Sequence, residues 1–340
     1  MNIKENVSLK AYNTFGIDVQ TRKFVEFSSE KELQQLLESK LLSDFDFFVL
    51  GGGSNVVFCS TFEGVIVHPT NKGIRIVSEN VETNEVIVEA CAGENWSNFA
   101  WAMTKQGFYG LENLVEIPGN VGAAPIQNVG AYGVEAKDVI NYVVAYEIET
   151  GTRRVFEAHE CKFGYRDSVF KNELKNKYIV LSVGFSLSKT MQSKSTYSSL
   201  RSLLSEKNII NPTPLQVAEC IAEIRNSKLP NPKEIGSAGS FFKNPIVTCS
   251  HLETLKVSYP GIVSYPAGDN YKLAAGWLIE QCGWKGKRLG NVGVFDKQAL
   301  VLYNIGGCTG KEVVNLAMAI EADVESKFGV KIECEAIIIK

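Results

Sequence analysis

A surplus of charge of either sign is missing from this chain. Lys and Arg number 35 against 38 Asp and Glu, a formal net charge of −3. Proteins that hold a nucleic-acid backbone carry a basic excess or stripe, so nucleic acid is not an expected partner. Histidine is scarce, with 3 residues scattered along the chain, and none of the 8 cysteines forms a C-x-x-C pair. Neither a zinc site nor a redox dithiol is suggested by that spacing, and no metal is expected. No window approaches the roughly 20 apolar residues of a membrane-spanning helix. The start, Met1-Asn2-Ile3-Lys4-Glu5, lacks the apolar core of a signal peptide. The expectation is a cytoplasmic protein with reduced thiols and no membrane partner.

What is present reads as an ordinary globular chain of two or three domains, with 340 residues and 45% hydrophobic content. Strand-like and helix-like segments alternate at first. Phe24–Phe27, Phe47–Leu50, Val56–Phe58 and Val65–Val67 are strand candidates. Leucines at 33, 36, 37 and 41 give 31–41 the stripe of an amphipathic helix. From residue 74 strands dominate (74–77, 85–89, 140–148, 153–157 and 178–187), with a helix over 94–104. Residues 188–213 read as a polar stretch. Helices are predicted over 214–227 and 272–282. Thr309 and Glu312 have the spacing of a capping box. The helix that follows carries Val313, Ala317, Ile320, Val324 and Phe328 on one side. The final segment, 330–339, has strand character and can return to an earlier sheet.

Four stretches carry chemistry. In Leu50-Gly51-Gly52-Gly53-Ser54-Asn55, three glycines between two strands let backbone N–H groups approach a phosphate closely. A plain tight turn explains the glycines equally well, and the stretch fits neither a G-x-G-x-x-G fingerprint nor a P-loop. Residues 116–133 hold four glycines and three alanines, too many to pack a conventional core yet too apolar for a flexible linker. Such a backbone can lie against a flat ring or a pyrophosphate, with Gln127, Asn128 and Tyr132 offering hydrogen bonds; an unusual structural loop is the alternative. In Phe163-Gly164-Tyr165-Arg166-Asp167-Ser168, the arginine can hold a carboxylate bidentately or form a structural ion pair with Asp167. In Gly236-Ser237-Ala238-Gly239-Ser240-Phe241-Phe242-Lys243-Asn244-Pro245, Ser240 lacks the G-x-S-x-G setting of a nucleophile. A proton-passing hydroxyl and a simple turn serine both fit there.

Taken together, these stretches resemble the family of UDP-N-acetylenolpyruvoylglucosamine reductases. The resemblance runs through NTFGI at 13–17, LGGGSN at 50–55, GENW at 93–96, GLENL at 110–114, IPGNVGAAPIQNVGAYGVE at 117–135 and FGYRDSVFK at 163–171. It continues through SKLPNPK at 227–233, GSAGSFFKNP at 236–245 and KLAAGWLIEQCG at 272–283. Ser195-Thr196-Tyr197 looks like the substrate-loop tyrosine of the family's first subclass. The resemblance implies an α+β fold: an FAD-binding domain of the vanillyl-alcohol oxidase/PCMH type, made of two α/β subdomains, plus a C-terminal α+β substrate-binding domain. The expected divisions are 1–72 (with strand 330–340 returning to it), 73–200 and 201–329.

The same resemblance implies non-covalent FAD, NADPH as hydride donor, and a UDP-sugar enolpyruvyl ether as substrate. A monomer is expected. It assigns Arg166, Ser240 and Glu335 to catalysis. Gly51, Gly52, Gly53, Ser54, Asn55, Gly119, Gly122, Ala123, Ile126, Gln127, Asn128, Gly130, Tyr132 and Arg225 go to the cofactor, and Tyr197, Lys228 and Asn244 to the substrate. In this scheme Arg166 stabilises developing negative charge and Ser240 donates a proton. Glu335 polarises the substrate carboxylate, which requires it to be protonated or to share a proton. The last strand departs from the family pattern: it reads Glu333-Cys334-Glu335, where the family commonly has proline between the acids. Residues 333 and 335 face the same side of a strand, so spacing does not separate them; motif position selects Glu335, and Cys334 is expected on the opposite, buried face. A flavin-tethering oxidase of the same FAD-binding type is the rival enzyme reading. No histidine lies in the Gly-rich stretches to hold the flavin covalently.

Overall fold

In the computed structural model, which describes residues 2–190, 197–232 and 234–340, the period-2 runs of the middle third form one antiparallel sheet. Its order is Arg153–Glu157, Ile140–Glu147, Tyr178–Ser188, Glu85–Cys91, Ile74–Asn80. Alternation along Glu85–Cys91 sends Val86, Val88 and Ala90 to one face. There they meet Trp96, Phe99, Ala100 and Met103 of the helix Trp96–Lys105. The Phe99 and Phe185 rings lie 4.9 Å apart. Asn95 caps this helix by accepting from the Asn98 N–H, which places its start two residues beyond the predicted one.

The sheet belongs to the first of two compact units, made of Met1–Val7, Thr21–Gly52 and Glu63–Ser227. Its other face carries Val144, Tyr146, Ile179 and Leu181, which pack with Leu33, Leu36 and Leu37 of the helix Glu30–Glu38. That helix stops short of Leu41 because Lys40 turns left-handed, at φ 57°. A second sheet, in the order Ile3–Ser8, Gln20–Phe27, Phe62–Pro69, Phe47–Val49, completes this core; its last two strands run parallel. The stretch read as polar contains a helix, Ser198–Glu206. The segment 201–227, which opens the expected third domain, buries Leu204, Val217, Cys220, Ile221 and Ile224 in the core that holds Trp96.

The second unit joins Ser8–Gln20, Gly53–Phe62 and Lys228–Lys340. One sheet runs Ser237–Ser240, Val301–Asn304, Val292–Val294, Arg288–Leu289; a three-stranded sheet runs Ile246–Thr248, Asn270–Leu273, Ser264–Ala267. The helix Gly310–Phe328 has the anticipated capping box. Thr309 accepts from the Glu312 N–H at 3.2 Å and Glu312 accepts from the Thr309 N–H at 2.8 Å. Val313, Ala317, Ile320, Val324 and Phe328 are buried as the periodicity predicts. The helix predicted from Lys272 begins only at Ala275, since Asn270–Leu273 is already a strand paired with two neighbours. Of the final segment only Ile337–Ile339 is a strand, and it pairs in parallel with Val56–Phe58. Among the described residues, no helix is long and apolar enough to cross a membrane.

Candidate active site

Within the first unit the glycine-rich stretches come together. A Cβ on Gly52 would lie 2.8 Å from the Asn120 side chain and 2.9 Å from the Gly119 Cα, and one on Gly122 would lie 2.6 Å from the Ala92 Cβ. The Trp96 N–H donates to the Gly119 carbonyl, and those of Val121 and Gly122 donate to the carbonyls of Glu94 and Ala92. Gly51-Gly52, GENW and IPGNVG are therefore one contiguous patch of close-packed backbone, which is the physical need behind glycine at these positions. Gly51 faces Asn120 and Ala123 across ordinary contact distances, and Ala123 is exposed.

The chain then runs past Ile126 to Gly130 along the turn that carries Arg166. Three hydrogen bonds join them. The Ser168 hydroxyl donates to the Ile126 carbonyl at 2.6 Å, the Asn128 amide to the Gly164 carbonyl at 2.8 Å, and the Arg166 guanidinium to the Gly130 carbonyl at 2.7 Å. Gly164 and Asp167 exchange backbone hydrogen bonds, so residues 164–167 make a tight turn with Arg166 at φ 55°. Left-handed backbone in a residue with a long side chain costs about 1–3 kcal/mol and concentrates at functional sites. Asn128 and Tyr132 are also left-handed, at 47° and 51°. Gln127 is half-buried in the same loop.

A cationic corner lies at the end of that loop. The rings of Tyr132 and Tyr197 meet edge to face, 5.2 Å apart, and the Tyr132 hydroxyl is hydrogen-bonded to Arg225. Burial pulls the Arg225 guanidinium below its ordinary range, against the opposing attraction of Tyr132 and Glu116. Its Nε is buried and has no hydrogen-bond partner among the described residues. Ser195 and Thr196, expected beside Tyr197, lie outside the described residues, as does Lys233. Lys228 is exposed at the end of the helix Pro214–Lys228.

In the second unit the strand of Ser240 lies beside the segment 333–335. The Glu335 N–H donates to the Phe241 carbonyl at 2.7 Å and the Lys243 N–H to the Glu333 carbonyl at 2.9 Å. The two acids, which spacing left equivalent, sit in different settings. Glu333 is exposed and 3.3 Å from Lys243; Glu335 is half-buried, and its carbonyl accepts from the Asn55 side chain at 3.2 Å. Between them, Cys334 donates its thiol to Glu321 and packs on the core, and burial together with Glu321 pushes that thiol up to about 12. Ser240 is exposed, and its hydroxyl has no hydrogen-bond partner among the described residues.

Support for Ser240 comes from residues that sequence reasoning gave no physical role. The Thr14 hydroxyl donates to the Ser237 carbonyl at 2.6 Å, the Ser237 N–H to the Thr14 carbonyl, and the Asn304 amide to the Phe15 carbonyl at 2.9 Å. Buried Asn13 fixes this NTFGI turn through the carbonyls of Leu9 and Ile17 and the Ile17 N–H. The Thr14 N–H donates to Gly53, where a Cβ would lie 1.9 Å from the Tyr12 carbonyl oxygen. Ser54 and Asn55 follow in the same turn before Val56–Phe58. The Asn244 side chain accepts from the Ala275 N–H at 3.0 Å, so it serves the start of the helix Ala275–Gln281. In the sequence the turn is marked only by Asn13 and, three residues on, Gly16, the residue types that favour turns.

Comparison with known proteins places both units. The family model described as an FAD binding domain matches residues 21–158, and that described as the UDP-N-acetylenolpyruvoylglucosamine reductase C-terminal domain matches 231–339. A UDP-N-acetylenolpyruvoylglucosamine reductase from Pseudomonas syringae pv. syringae is 46% identical over 336 residues, covering 98% of each chain. That from Bdellovibrio bacteriovorus is 45% identical over 337 residues, covering 99% of each. The crystal structure of UDP-N-acetylenolpyruvylglucosamine reductase (MurB) from Thermus caldophilus shares the fold, with a TM-score of 0.67 at 22% identity over the whole of both chains. By these full-length similarities, the chain belongs to the UDP-N-acetylenolpyruvoylglucosamine reductase family.

Proposed function

We propose that this FAD-dependent oxidoreductase uses NADPH to reduce the enolpyruvyl ether of a UDP-N-acetylglucosamine to UDP-N-acetylmuramate, a step in peptidoglycan precursor synthesis. The observation that carries the reading is the pairing of the Ser240 and Glu335 segments, with the Glu335 N–H 2.7 Å from the Phe241 carbonyl. The arrangement belongs to a chain 46% identical end to end to a protein named for that reduction.

The first unit suits a dinucleotide on its own evidence. Gly52 is exposed and Gly51, Gly119 and Gly122 are half-exposed where their backbones pack together, and Arg225 keeps a buried Nε without a partner among the described residues. A buried guanidinium atom in that state is costly unless an anionic oxygen meets it. Gly51, Gly52, Gly119, Gly122, Ala123, Ile126, Gln127 and Gly130 are assigned to the cofactor by their place in these stretches, and Gly53, Ser54 and Asn55 by theirs in LGGGSN. Tyr132 and Arg225 face its phosphates or those of the substrate. Tyr197, Lys228 and Asn244 are assigned to the UDP-sugar. The division into cofactor subdomains 1–72 and 73–200 and substrate domain 201–329 is part of this proposal, with 201–227, buried in the core that holds Trp96, moved to the cofactor side; a cytoplasmic site of action and a monomeric state are part of it too.

FAD supplies hydride transfer from NADPH to the vinyl carbon. The rest of the chemistry falls to the chain. Negative charge develops on the carbon that bears the carboxylate, and the Arg166 guanidinium, tethered to a backbone carbonyl, stabilises it. Ser240 gives its proton to that carbon. Glu335, carrying or sharing a proton, donates a hydrogen bond to the substrate carboxylate. The test is anaerobic: the purified yellow protein is reduced with NADPH and UDP-N-acetylglucosamine enolpyruvate is added. Recovery of flavin absorbance near about 450 nm with formation of UDP-N-acetylmuramate is expected. Failure of that recovery removes the assignment.

A further inference from the structure

The side chain of Asn128 is fully buried, and its hydrogen-bonding capacity is engaged inside the first unit. One amide donates to the Glu135 carboxylate at 2.9 Å and to the Gly164 carbonyl at 2.8 Å, and its oxygen accepts from the Lys137 N–H at 2.9 Å. Rotating the amide by half a turn would set its oxygen against the Glu135 and Gly164 oxygens and its NH2 against the Lys137 N–H. All three contacts would become repulsive, so one orientation is enforced. With both amide hydrogens committed, the side chain is not a donor to a flavin, and a cofactor contact of Asn128 falls to its backbone.

Its bonds act on a different object. Ile126, Asn128 and Gly130 alternate along the loop, and Ser168, Gly164 and Arg166 alternate along the turn that they hold. Two of the three bonds run from turn side chains to loop carbonyls; Asn128 supplies the one that runs back, from loop side chain to turn backbone. It meets the turn at Gly164, the residue whose backbone closes the turn on Asp167. Arg166 sits in a strained left-handed conformation inside that closure, and strain of this kind persists only where the surroundings over-determine it. We infer that Asn128 is a positioning residue, fixing the Arg166 guanidinium for the reaction by clamping the 164–167 turn to the cofactor loop. The inference rests on the proposed role of Arg166.

Asn128→Gly separates the side chain from the backbone, since glycine keeps φ near 47° without cost. In the holoenzyme, reoxidation by the enolpyruvyl substrate is expected to slow about tenfold to a hundredfold more than reduction by NADPH, the penalty of a misaligned group. Hydrogen exchange should rise in peptides covering 163–169 and stay as in wild type over 313–328. Equal slowing of both half-reactions, or faster exchange throughout, overturns the inference. Asn128→Asp, which keeps shape and tolerates the left-handed backbone, covers the case in which the glycine variant does not fold. Its carboxyl can donate to Gly164 only when protonated, so reoxidation relative to wild type falls as pH rises through the titration of the new acid, which burial beside Glu135 moves upward. A flat ratio across pH overturns the inference. Arg166→Gln run alongside separates the two readings. Normal reoxidation there removes the role of Arg166 itself, whereas slow Arg166→Gln with unaffected Asn128→Gly removes only the clamp.

Discussion

The backbone N–H of Glu335 reaches the carbonyl of Phe241 at 2.7 Å, which seats an acid from the end of the chain next to Ser240. The contact is main chain to main chain, so the placement survives changes to either side chain. Substitutions at 240 and 335 therefore report on chemistry more than on folding.

Ser240→Ala removes a hydroxyl that is exposed and has no protein partner among the described residues, so no buried group is orphaned and the fold is expected to stand. Reduction of the flavin by NADPH should proceed near the wild-type rate, while reoxidation by the enolpyruvyl substrate slows by about 10²–10⁴-fold, the range for loss of a general acid. Stopped-flow measurement of the two half-reactions decides it. Equal losses in both would contradict a proton-donor role.

Glu333 and Glu335 are separated by their surroundings. Glu333→Gln breaks an exposed ion pair with Lys243, worth about 0–1 kcal/mol, and should leave turnover intact. Glu335→Gln keeps a hydrogen-bond donor and the backbone pairing but ends proton sharing, and kcat is expected to fall while stability holds. Steady-state kinetics with thermal melts on both variants tests this. A crippled Glu333→Gln beside an active Glu335→Gln would reverse the assignment.

The contrast between these acids was out of reach of the sequence, because two residues apart on one strand is the same face by spacing alone. What separates them is pairing across 90 residues, Lys243 with Glu333. Local signals did better. The 3.6-residue stripe and the capping box placed the helix Gly310–Phe328, and period-2 runs placed the strands of the middle third. Lys272 and Leu273 read as helix in the sequence because an apolar run next to a helix start does not reveal the two neighbouring strands that claim it. The helices Ser198–Glu206 and Cys249–Ser258 were missed because serine, lysine and threonine dilute their apolar faces. At the candidate site, motif position singles out the residues but not their settings. The inward turn of Asn128 and the left-handed backbone of Arg166 depend on partners 36 residues away, at Gly164 and Gly130.

The cysteines give a pH-dependent test. Burial, aided by nearby carboxylates, pushes the thiols of Cys161, Cys308 and Cys334 up to about 12. Cys249 is exposed. Only thiolate is alkylated, so at pH 8 iodoacetamide should label Cys249 first and leave those three until the protein unfolds. Peptide mapping after timed quenching reads the order. Because the folded state holds these protons more tightly than the unfolded chain, this contribution to stability is present at neutral pH and is lost as pH climbs from about 9 toward 12. Early labelling of Cys334 would mean that its thiol does not sit against Glu321.

Arg166→Gly sets strain against function at one position. The wild-type residue adopts φ 55°, a conformation that glycine takes freely, so the variant relieves backbone strain of about 1–3 kcal/mol. Against this stand the lost hydrogen bond to the Gly130 carbonyl, about 1 kcal/mol, and the greater freedom of glycine in the unfolded chain, of similar size. These contributions nearly cancel, and a melting temperature close to wild type is expected. The guanidinium has no replacement at the developing negative charge, so reoxidation by substrate should fall by about 10²–10³-fold, the loss seen when one fixed electrostatic donor is removed. Added guanidinium ion should recover part of that rate in the variant while leaving the wild-type rate unraised. A variant as active as wild type would show that the strained turn serves the fold alone.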